Sequence, residues 1–178
     1  MRIISGKYKS RRLTAPKNLP VRPTTDMAKE SLFNILNNWY HLQEIVVLDL
    51  FSGTGNISFE FSSRGNQNIT AVDQHSGCIH YINKINKELE FDINTIKADV
   101  FSFLEKHNGK YDVIFADPPY DFNEEQFSKI TELVWKNNLL EEQGTLIIEH
   151  AQQTDLSHLP NFTQAKRYGG CMFSFFER

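Results

Sequence analysis

Hydrophobic and polar positions follow two different spacings along the chain. Residues 27–40 carry apolar side chains at positions 28, 32, 35, 36 and 39, which is the spacing of an amphipathic helix. Residues 45–50, with the sequence IVVLDL, form an apolar run that is typical of a strand buried on both faces. The first pattern therefore predicts a helix and the second predicts a strand.

This alternation continues to the end of the chain. It predicts helices over residues 56–64, 79–89, 100–107 and 124–135, and strands over 69–72, 94–98, 111–116, 145–149, 162–167 and 172–176. Strands that alternate with helices indicate βαβ units, so the fold class is predicted to be α/β with a mostly parallel sheet. The last two strands meet at Gly169-Gly170 and indicate an antiparallel pair at the edge of that sheet.

Composition adds limits on size and location. A chain of 178 residues fits one domain, and 40% hydrophobic and 23% charged residues are ordinary for a soluble globular protein. No apolar run approaches the roughly 20 residues that cross a bilayer, and the basic N-terminus lacks the apolar stretch of a secretory signal. We therefore expect a cytoplasmic protein with no membrane partner. Cys78 and Cys171 lie far apart and outside metal-ligand spacing, so packed, reduced thiols and no metal are expected.

The net charge of −3 conceals a strongly basic N-terminal segment. Residues 1–22 hold seven basic side chains and no acid, whereas the rest of the chain holds 12 basic and 22 acidic side chains. The seven are Arg2, Lys7, Lys9, Arg11, Arg12, Lys17 and Arg22. A concentrated basic patch binds phosphates by releasing counterions, so this segment is a candidate nucleic-acid contact. The alternative interpretation is a solvated, charged hairpin without a partner.

The same segment has the pattern of a folded arm. Ile3-Ile4 and Leu13 flank Ser5-Gly6-Lys7, which predicts a β-hairpin that presents lysine and arginine side chains, with Tyr8 as a candidate stacking group. Prolines at positions 20 and 23 make the following residues an extended connector. We therefore expect residues 1–23 to form an arm and connector, and residues 24–178 the main domain.

Candidate ligand-binding residues follow the predicted strands, because ligands bind outside the carboxyl ends of a parallel sheet. In DLFSGTGN, after the first strand, Gly53 and Gly55 allow the backbone to approach a ligand closely. Ser58 replaces the third glycine of a dinucleotide-binding loop, and Asp49 suits a cationic ligand better than a phosphate. S-adenosylmethionine carries an ammonium and a sulfonium, so Asp49, Phe51, Gly53 and Gly55 are predicted to bind it. The alternative is a tight structural turn.

Two further acids follow the next strands. Asp73 lies 20 residues after Gly53, where an acid can accept both hydroxyls of a ribose. This position indicates a nucleoside ligand without choosing between cofactors. Asp99 follows the third strand and could accept a hydrogen bond from an adenine amino group. A helix N-cap is an equally favoured role for Asp99, and both roles could hold together.

The sharpest motif follows the fourth strand, as Asp117-Pro118-Pro119-Tyr120. Consecutive prolines fix the backbone and remove two N–H donors, so a carboxylate and backbone carbonyls remain as acceptors. This acceptor set suits the two hydrogens of an exocyclic amine, and Tyr120 offers a face for a flat base. These four residues are therefore the predicted catalytic residues, and a rigid turn that ends a strand is the alternative. His150 could line the site, although a surface position is the favoured interpretation.

Together these motifs resemble the class I methyltransferases, and within them the RsmD family of 16S rRNA guanine-N2 methyltransferases. The resemblance covers nearly the whole chain. Its matches are Arg2-Ile3-Ile4-Ser5-Gly6-Lys7, Arg22-Pro23-Thr24-Thr25-Asp26, Glu30-Ser31-Leu32-Phe33-Asn34, Asp49 to Gly55, Ser63-Arg64-Gly65, and Asp117 to Tyr120. The N-terminal arm and Arg22-Pro23-Thr24 are specific to that family, whereas the other motifs are common to many methyltransferases.

The resemblance implies a Rossmann-like sheet of seven strands with helices on both faces, S-adenosylmethionine as cofactor, and a guanine in 16S rRNA or the small ribosomal subunit as target. It also implies that the arm helps to bind RNA, through Arg2, Lys7, Lys9, Arg11, Arg12 and Arg22. A monomer is expected. Two alternatives remain open at this point: an adenine-N6 methyltransferase acting on DNA or RNA, and an inert nucleic-acid-binding Rossmann module.

Overall fold

A computed structural model describes all residues from 1 to 178 and contains five helices and seven strands. In chain order these are α1 (Asp26–Trp39), β1 (Val47–Leu50), α2 (Asn56–Ser63), β2 (Ile69–Asp73), α3 (Ser76–Glu88), β3 (Ile93–Lys97), α4 (Val100–Lys106), β4 (Tyr111–Ala116), α5 (Glu124–Lys136), β5 (Leu140–Ala151), β6 (Phe162–Tyr168) and β7 (Cys171–Glu177). Every helix and strand predicted for residues 24–178 is therefore present. None of the helices has the length and apolar character needed to cross a bilayer.

All seven strands form one sheet in the order β3-β2-β1-β4-β5-β7-β6. Strands β1 to β5 are parallel, and β7 lies antiparallel between β5 and β6. The predicted antiparallel pair at the edge is confirmed. The register aligns the carboxyl ends of the central strands, since Leu50 pairs with both Val72 and Ala116, and Ala116 pairs with Ile148.

Helices cover both faces of the sheet because its strands are apolar on both sides. Alternate residues of β1 divide between the two cores, with Val47 in one and Leu48 in the other. Helices α1, α2 and α3 pack on the first face, and α4 and α5 pack on the second. The predicted Rossmann-like α/β fold is confirmed.

The N-terminal arm differs from the predicted β-hairpin. It folds back on itself through a single antiparallel bridge between Arg2 and Arg12, and neither side is long enough to be a strand. Ile3 and Leu13 are buried in the main core, so the arm packs against the domain. A Cβ on Gly6, whose φ is +89°, would lie 1.9 Å from the carbonyl oxygen of Ser63. Close docking of the arm on the end of α2 therefore requires glycine at this position.

Candidate active site

A pocket of about 660 Å³ opens at the carboxyl ends of the parallel strands. It brings together most of the predicted site residues, which follow four different strands. Those that line it are Asp49, Phe51, Gly53, Asp73, Asp99, Asp117, Pro118, Pro119 and Tyr120, together with Arg22 of the connector. The sheet therefore gathers residues from separate parts of the chain into one cavity, as expected for a fold of this kind.

The glycine loop turns sharply at alternate residues. Phe51, Gly53 and Gly55 all have positive φ, at 55°, 54° and 86°. Gly53 lines the pocket and donates its N–H to Asp73 at 2.9 Å. Gly55 is not among the lining residues, because it forms the N-cap of α2 and packs against Phe59 on the inner side. The loop therefore presents Phe51 and Gly53 to the pocket and uses Gly55 to begin the helix.

Asp73 is held rigidly at the end of β2. Its Oδ2 accepts from the backbone N–H of Gly53 at 2.9 Å, and its Oδ1 accepts from the N–H of His75 at 2.8 Å. A carboxylate has about four lone-pair sites, so both oxygens can still accept from two ligand hydroxyls. The backbone thus orients this carboxylate before any ligand binds.

Asp99 has the capping role that its position allowed. It is the N-cap of α4 and accepts from the N–H of Ser102 at 2.9 Å. Its side chain is also exposed along the pocket wall. The capping and pocket-lining positions therefore coexist.

Asp49 is the most deeply buried acid of the pocket, with 1% of its surface exposed. The hydroxyl of Ser58 donates to its Oδ2 at 2.6 Å. Burial raises the pKa of Asp49 to about 7, although the hydrogen bond from Ser58 lowers it. Since a neighbouring positive charge stabilises the ionised form, this position favours a cationic ligand.

Asp117 and the prolines form the opposite wall of the pocket. The half-buried carboxylate of Asp117 makes no hydrogen bond with the protein, and neither does the carbonyl of Pro118. The carbonyl of Pro119 is already used, since it accepts from the N–H of Phe122 at 3.1 Å. Burial, Glu149 and Asp49 together raise the pKa of Asp117 well above its usual range, and Arg22 opposes them. Both unpartnered acceptors therefore belong to residues that line the cavity.

Tyr120 is 39% exposed at the mouth of the pocket. The guanidinium of Arg22 lies over its ring, 4.6 Å from the centroid. Arg22 therefore lies at the pocket, apart from the rest of the basic arm, and covers one face of the predicted stacking residue. A cation over an aromatic ring is favourable by about 0.5–1 kcal/mol at an exposed site.

Most basic residues of the arm face solvent, namely Lys7, Lys9, Arg11, Arg12 and Lys17. Arg2 differs, because it is half-buried and paired with Asp26 at 3.0 Å. Tyr8, the candidate stacking group of the arm, is half-buried against the domain. Its hydroxyl donates to the carbonyl of Leu89 at 2.9 Å, and its ring packs edge-on against Phe91.

Several residues near the pocket were not found by sequence reasoning. Phe101 and Phe122 line it beside Phe51, and the three rings contact one another in series. Both follow a strand end, which is the signal that could have identified them.

His150 is neither a surface residue nor a lining residue, because it is 2% exposed and its ring bonds to Ser174 and to the carbonyl of Ala151.

The pocket fits S-adenosylmethionine by its chemistry. A buried acid, an oriented acid for ribose hydroxyls and a wall of aromatic rings match the cationic, sugar and adenine parts of that molecule. Its volume of about 660 Å³ lies within the range of small-molecule sites. The sheet order and this pocket define a class I, S-adenosylmethionine-dependent methyltransferase.

Comparison with known proteins identifies the family. Residues 1–177 match the family described as "Conserved hypothetical protein 95". The chain belongs to this family, which is the RsmD family.

Named relatives agree with this assignment. The chain is 34% identical to "Ribosomal RNA small subunit methyltransferase D" of Buchnera aphidicola subsp. Baizongia pistaciae, over 89% of this chain and 79% of that protein. It is 29% identical to the protein of the same name from Haemophilus influenzae, over 93% and 86% of the two chains. The Escherichia coli K12 protein of that name is 27% identical, over 90% and 79%.

Solved structures share the fold. The Escherichia coli protein yhhF superimposes with a TM-score of 0.86 at 26% identity, covering 100% of this chain and 97% of that one. The Thermus thermophilus 16S rRNA N2 G1207 methyltransferase RsmC, solved with AdoMet and guanosine, gives a TM-score of 0.70 at 16% identity. That match covers 90% of this chain and 45% of RsmC, and it supports the fold.

Proposed function

We propose that this protein transfers a methyl group from S-adenosylmethionine to the exocyclic N2 amine of a guanine in 16S rRNA of the small ribosomal subunit. The observation that carries the proposal is the pair of unpartnered acceptors, the Asp117 carboxylate and the Pro118 carbonyl, in the same pocket as the cofactor-binding acids. The names of the relatives support rRNA as the substrate. An rRNA substrate is also consistent with the expected cytoplasmic location.

We assign the cofactor to the glycine-loop side of the pocket. Asp73 accepts the ribose hydroxyls and Asp49 faces the cationic part, while the lack of a side chain at Gly53 allows close approach. Asp99 accepts from the adenine amine, which lies against the rings of Phe51 and Phe101. When bound, S-adenosylmethionine supplies a methyl group on a sulfonium, which is already electrophilic. The protein therefore needs no nucleophilic residue of its own.

We assign the target base to the Asp117 side. Asp117 and the carbonyl of Pro118 accept the two N–H groups of the amine and so orient its lone pair. An aromatic amine is a poor nucleophile because its lone pair is delocalised into the ring, and hydrogen bonds from both N–H groups favour its pyramidal form. Tyr120 provides the stacking face once Arg22 has moved off its ring. Preorganised acceptors of this kind commonly contribute 10²–10³-fold to a rate, as an order of magnitude.

The RNA chain itself must reach the pocket, so we assign its phosphates to the arm and connector, residues 1–23. The exposed side chains Lys7, Lys9, Arg11 and Arg12 offer a phosphate-binding surface. Arg22 links this surface to the pocket. Extrusion of the base from its RNA context costs a few kcal/mol, which phosphate contacts would offset. All of these groups belong to one chain, so a monomer suffices.

The test is methyl transfer from labelled S-adenosylmethionine to small-subunit particles that lack the modification, followed by digestion and nucleoside identification. We expect N2-methylguanosine. N6-methyladenosine instead would retain the pocket and overturn the base assignment. Cofactor binding without any transfer would overturn the assigned substrate, and absence of both would favour an inert binding module.

A further inference from the structure

A second carboxylate, that of Glu149, lies beside Asp117 and takes no part in binding the cofactor or the base. Glu149 is the residue of β5 that follows Ile148, and Ile148 pairs with Ala116, which precedes Asp117. The register therefore sets Asp117 and Glu149 side by side at the carboxyl ends of neighbouring parallel strands. Side chains alternate along a strand, so both point to the face of the sheet that also carries Asp49.

Glu149 is buried and held in a defined position. It is 3% exposed and is not among the residues that line the pocket. The hydroxyl of Thr24, the residue directly after the connector, donates to its Oε2 at 2.6 Å. The carbonyl of Thr24 in turn accepts from the side-chain amide of Asn56 at 3.0 Å. Glu149 is therefore fixed behind the pocket wall and does not reach the substrate.

The hydrogen bonds that hold Thr24 continue toward the arm. The Oδ1 atom of Asn56 accepts from Lys29 Nζ at 2.7 Å, and Lys29 Nζ also donates to the backbone carbonyl of Arg2 at 2.5 Å. Lys29 lies 3.6 Å from a carboxylate oxygen of Glu60, and both side chains are almost fully buried. A buried polar network therefore fixes Thr24 and ties it to the arm, in line with the rule that buried polar groups are hydrogen-bonded.

The charges around Asp117 come from three parts of the chain. Glu149 on β5 and Asp49 on β1 are like charges that raise its pKa, and Arg22 of the connector lowers it. The phenol of Tyr120 and the thiol of Cys171 also lie within electrostatic reach of Asp117, and burial raises the pKa of both groups. Glu149 is the largest charge contribution to Asp117, after burial itself.

We infer that Glu149 is a positioning residue, whose negative charge in the ionised form makes Asp117 a stronger acceptor for the proton that leaves the target amine. The inference rests on the proposed function. In the step, the guanine N2 lone pair forms a bond to the methyl carbon, the carbon–sulfur bond breaks, and its electron pair goes to sulfur. The N2 atom then loses one proton, which the Asp117 carboxylate accepts and later releases to solvent. A like charge beside an acid increases its proton affinity.

The experiment compares wild type with Glu149→Gln and with the control Glu141→Gln. Glutamine keeps an oxygen that can accept from Thr24 and removes only the charge, so the fold is retained. Glu141 is an exposed acid at the other end of the same strand. Single-turnover rates at saturating cofactor and small-subunit particles are measured from about pH 5 to about pH 9, with N2-methylguanosine as the product.

We expect the wild-type rate to rise with pH as Asp117 ionises. In Glu149→Gln the midpoint of this rise moves to lower pH, because the like charge is gone, and the plateau rate falls about 10-fold because Asp117 is a weaker base. Cofactor affinity stays unchanged, and Glu141→Gln matches wild type. Thr24→Val, which removes the hydrogen bond to Glu149, provides a second variant and shifts the midpoint in the same direction by less.

Two results would overturn the inference about Glu149 and leave the proposed function intact. One is a Glu149→Gln profile that superimposes on wild type, and the other is a lower plateau with an unchanged midpoint, which is the signature of a purely structural role. If wild type makes no N2-methylguanosine, the proposed function fails and the inference fails with it.

Discussion

The two walls of the pocket are built in opposite ways. On the cofactor side, Asp73 already accepts hydrogen bonds on both oxygens from backbone N–H groups, and the loop beside it is fixed by Gly53 in a left-handed conformation. On the other side, Asp117 and the carbonyl of Pro118 accept no hydrogen bond, and Arg22 covers the ring of Tyr120. The ligand-binding carboxylate of the cofactor wall is therefore satisfied before binding, whereas the carboxylate of the other wall is not; these are called the satisfied and the unsatisfied wall.

This difference indicates what each wall is for. A satisfied, oriented site binds its ligand with little reorganisation, which favours affinity. An unpartnered carboxylate in a half-buried position costs stability, because burying a polar group without a hydrogen bond is unfavourable. Such a group is retained where a substrate provides the missing partner. Changes on the two walls should therefore separate cofactor affinity from turnover.

The largest effect is expected at the unsatisfied wall. Asp117→Ala should lower the rate of methyl transfer by about 10³-fold, because the amine loses an acceptor that is needed as charge develops. Cofactor affinity, measured by calorimetry, should stay within about 3-fold of wild type. That limit corresponds to a change of less than about 1 kcal/mol in the free energy of binding.

The control for this variant is Asp112→Ala, at the start of the same strand and far from the pocket. It should retain methyl transfer. Loss of cofactor binding in Asp117→Ala would contradict the expectation that the two walls act independently, one on cofactor affinity and the other on turnover.

The second effect is expected at the satisfied wall. Asp73→Ala should weaken cofactor binding by about 10²-fold, since each hydrogen bond to a charged group contributes about 1.5–3 kcal/mol. Asp92→Ala, an exposed acid ahead of β3, is the matched control and should bind as wild type does. RNA affinity should not change in either variant. Unchanged cofactor affinity in Asp73→Ala would remove this residue from the cofactor site.

The motifs of both walls were predictable from the sequence, and Asp117-Pro118-Pro119-Tyr120 was the sharpest of them. The glycine loop and the acid 20 residues later are set by short motifs at strand ends, and strand ends follow from apolar patterning. The order of helices and strands was predictable for the same reason. Among these elements only some ends differ from the prediction. The strand β5 begins at Leu140 and not at residue 145, because the intervening sequence EEQG is polar and does not show the apolar pattern of a strand.

The surroundings of Asp117 could not be predicted, because they depend on contacts between residues distant in sequence. Thr24 and Glu149 are 125 residues apart, and only the fold brings the hydroxyl to the carboxylate. The arm fails as a predicted hairpin for a related reason. Its N–H groups at Ile4 and Ser5 bond to Glu60 on α2, and not across to a second strand.

A third effect concerns Asp49, the buried acid of the cofactor side. The pKa of Asp49 is raised to about 7 by burial, and its ionised form is the one that attracts a cation. Affinity for S-adenosylmethionine should therefore be highest above pH 7 and should fall as pH drops, approaching about 10-fold per pH unit below the pKa. In Asp49→Asn the affinity should be lower and this dependence should flatten. An equally steep dependence in Asp49→Asn would assign it to another group.

The smallest effect is expected farthest from the pocket, in the arm. Arg11 and Arg12 are exposed, and their reversal in Arg11→Glu/Arg12→Glu should weaken RNA binding by about 10-fold near 0.1 M salt, since two phosphate contacts are lost. For the same reason, the slope of log affinity against log salt concentration should decrease in magnitude by about two, one for each lost phosphate contact. Cofactor affinity should not change, because neither residue lines the pocket.

The matched control makes the same change of charge elsewhere. Lys106 and Lys136 are exposed in the last turns of α4 and α5. In a parallel α/β sheet these helix ends lie at the edge opposite the strand carboxyl ends, and so opposite the pocket. Lys106→Glu/Lys136→Glu should therefore leave the RNA dissociation constant and its salt slope close to wild type. Equal weakening in both double variants would show that overall charge governs RNA binding, and the arm would then have no special part in bringing RNA to the unsatisfied wall.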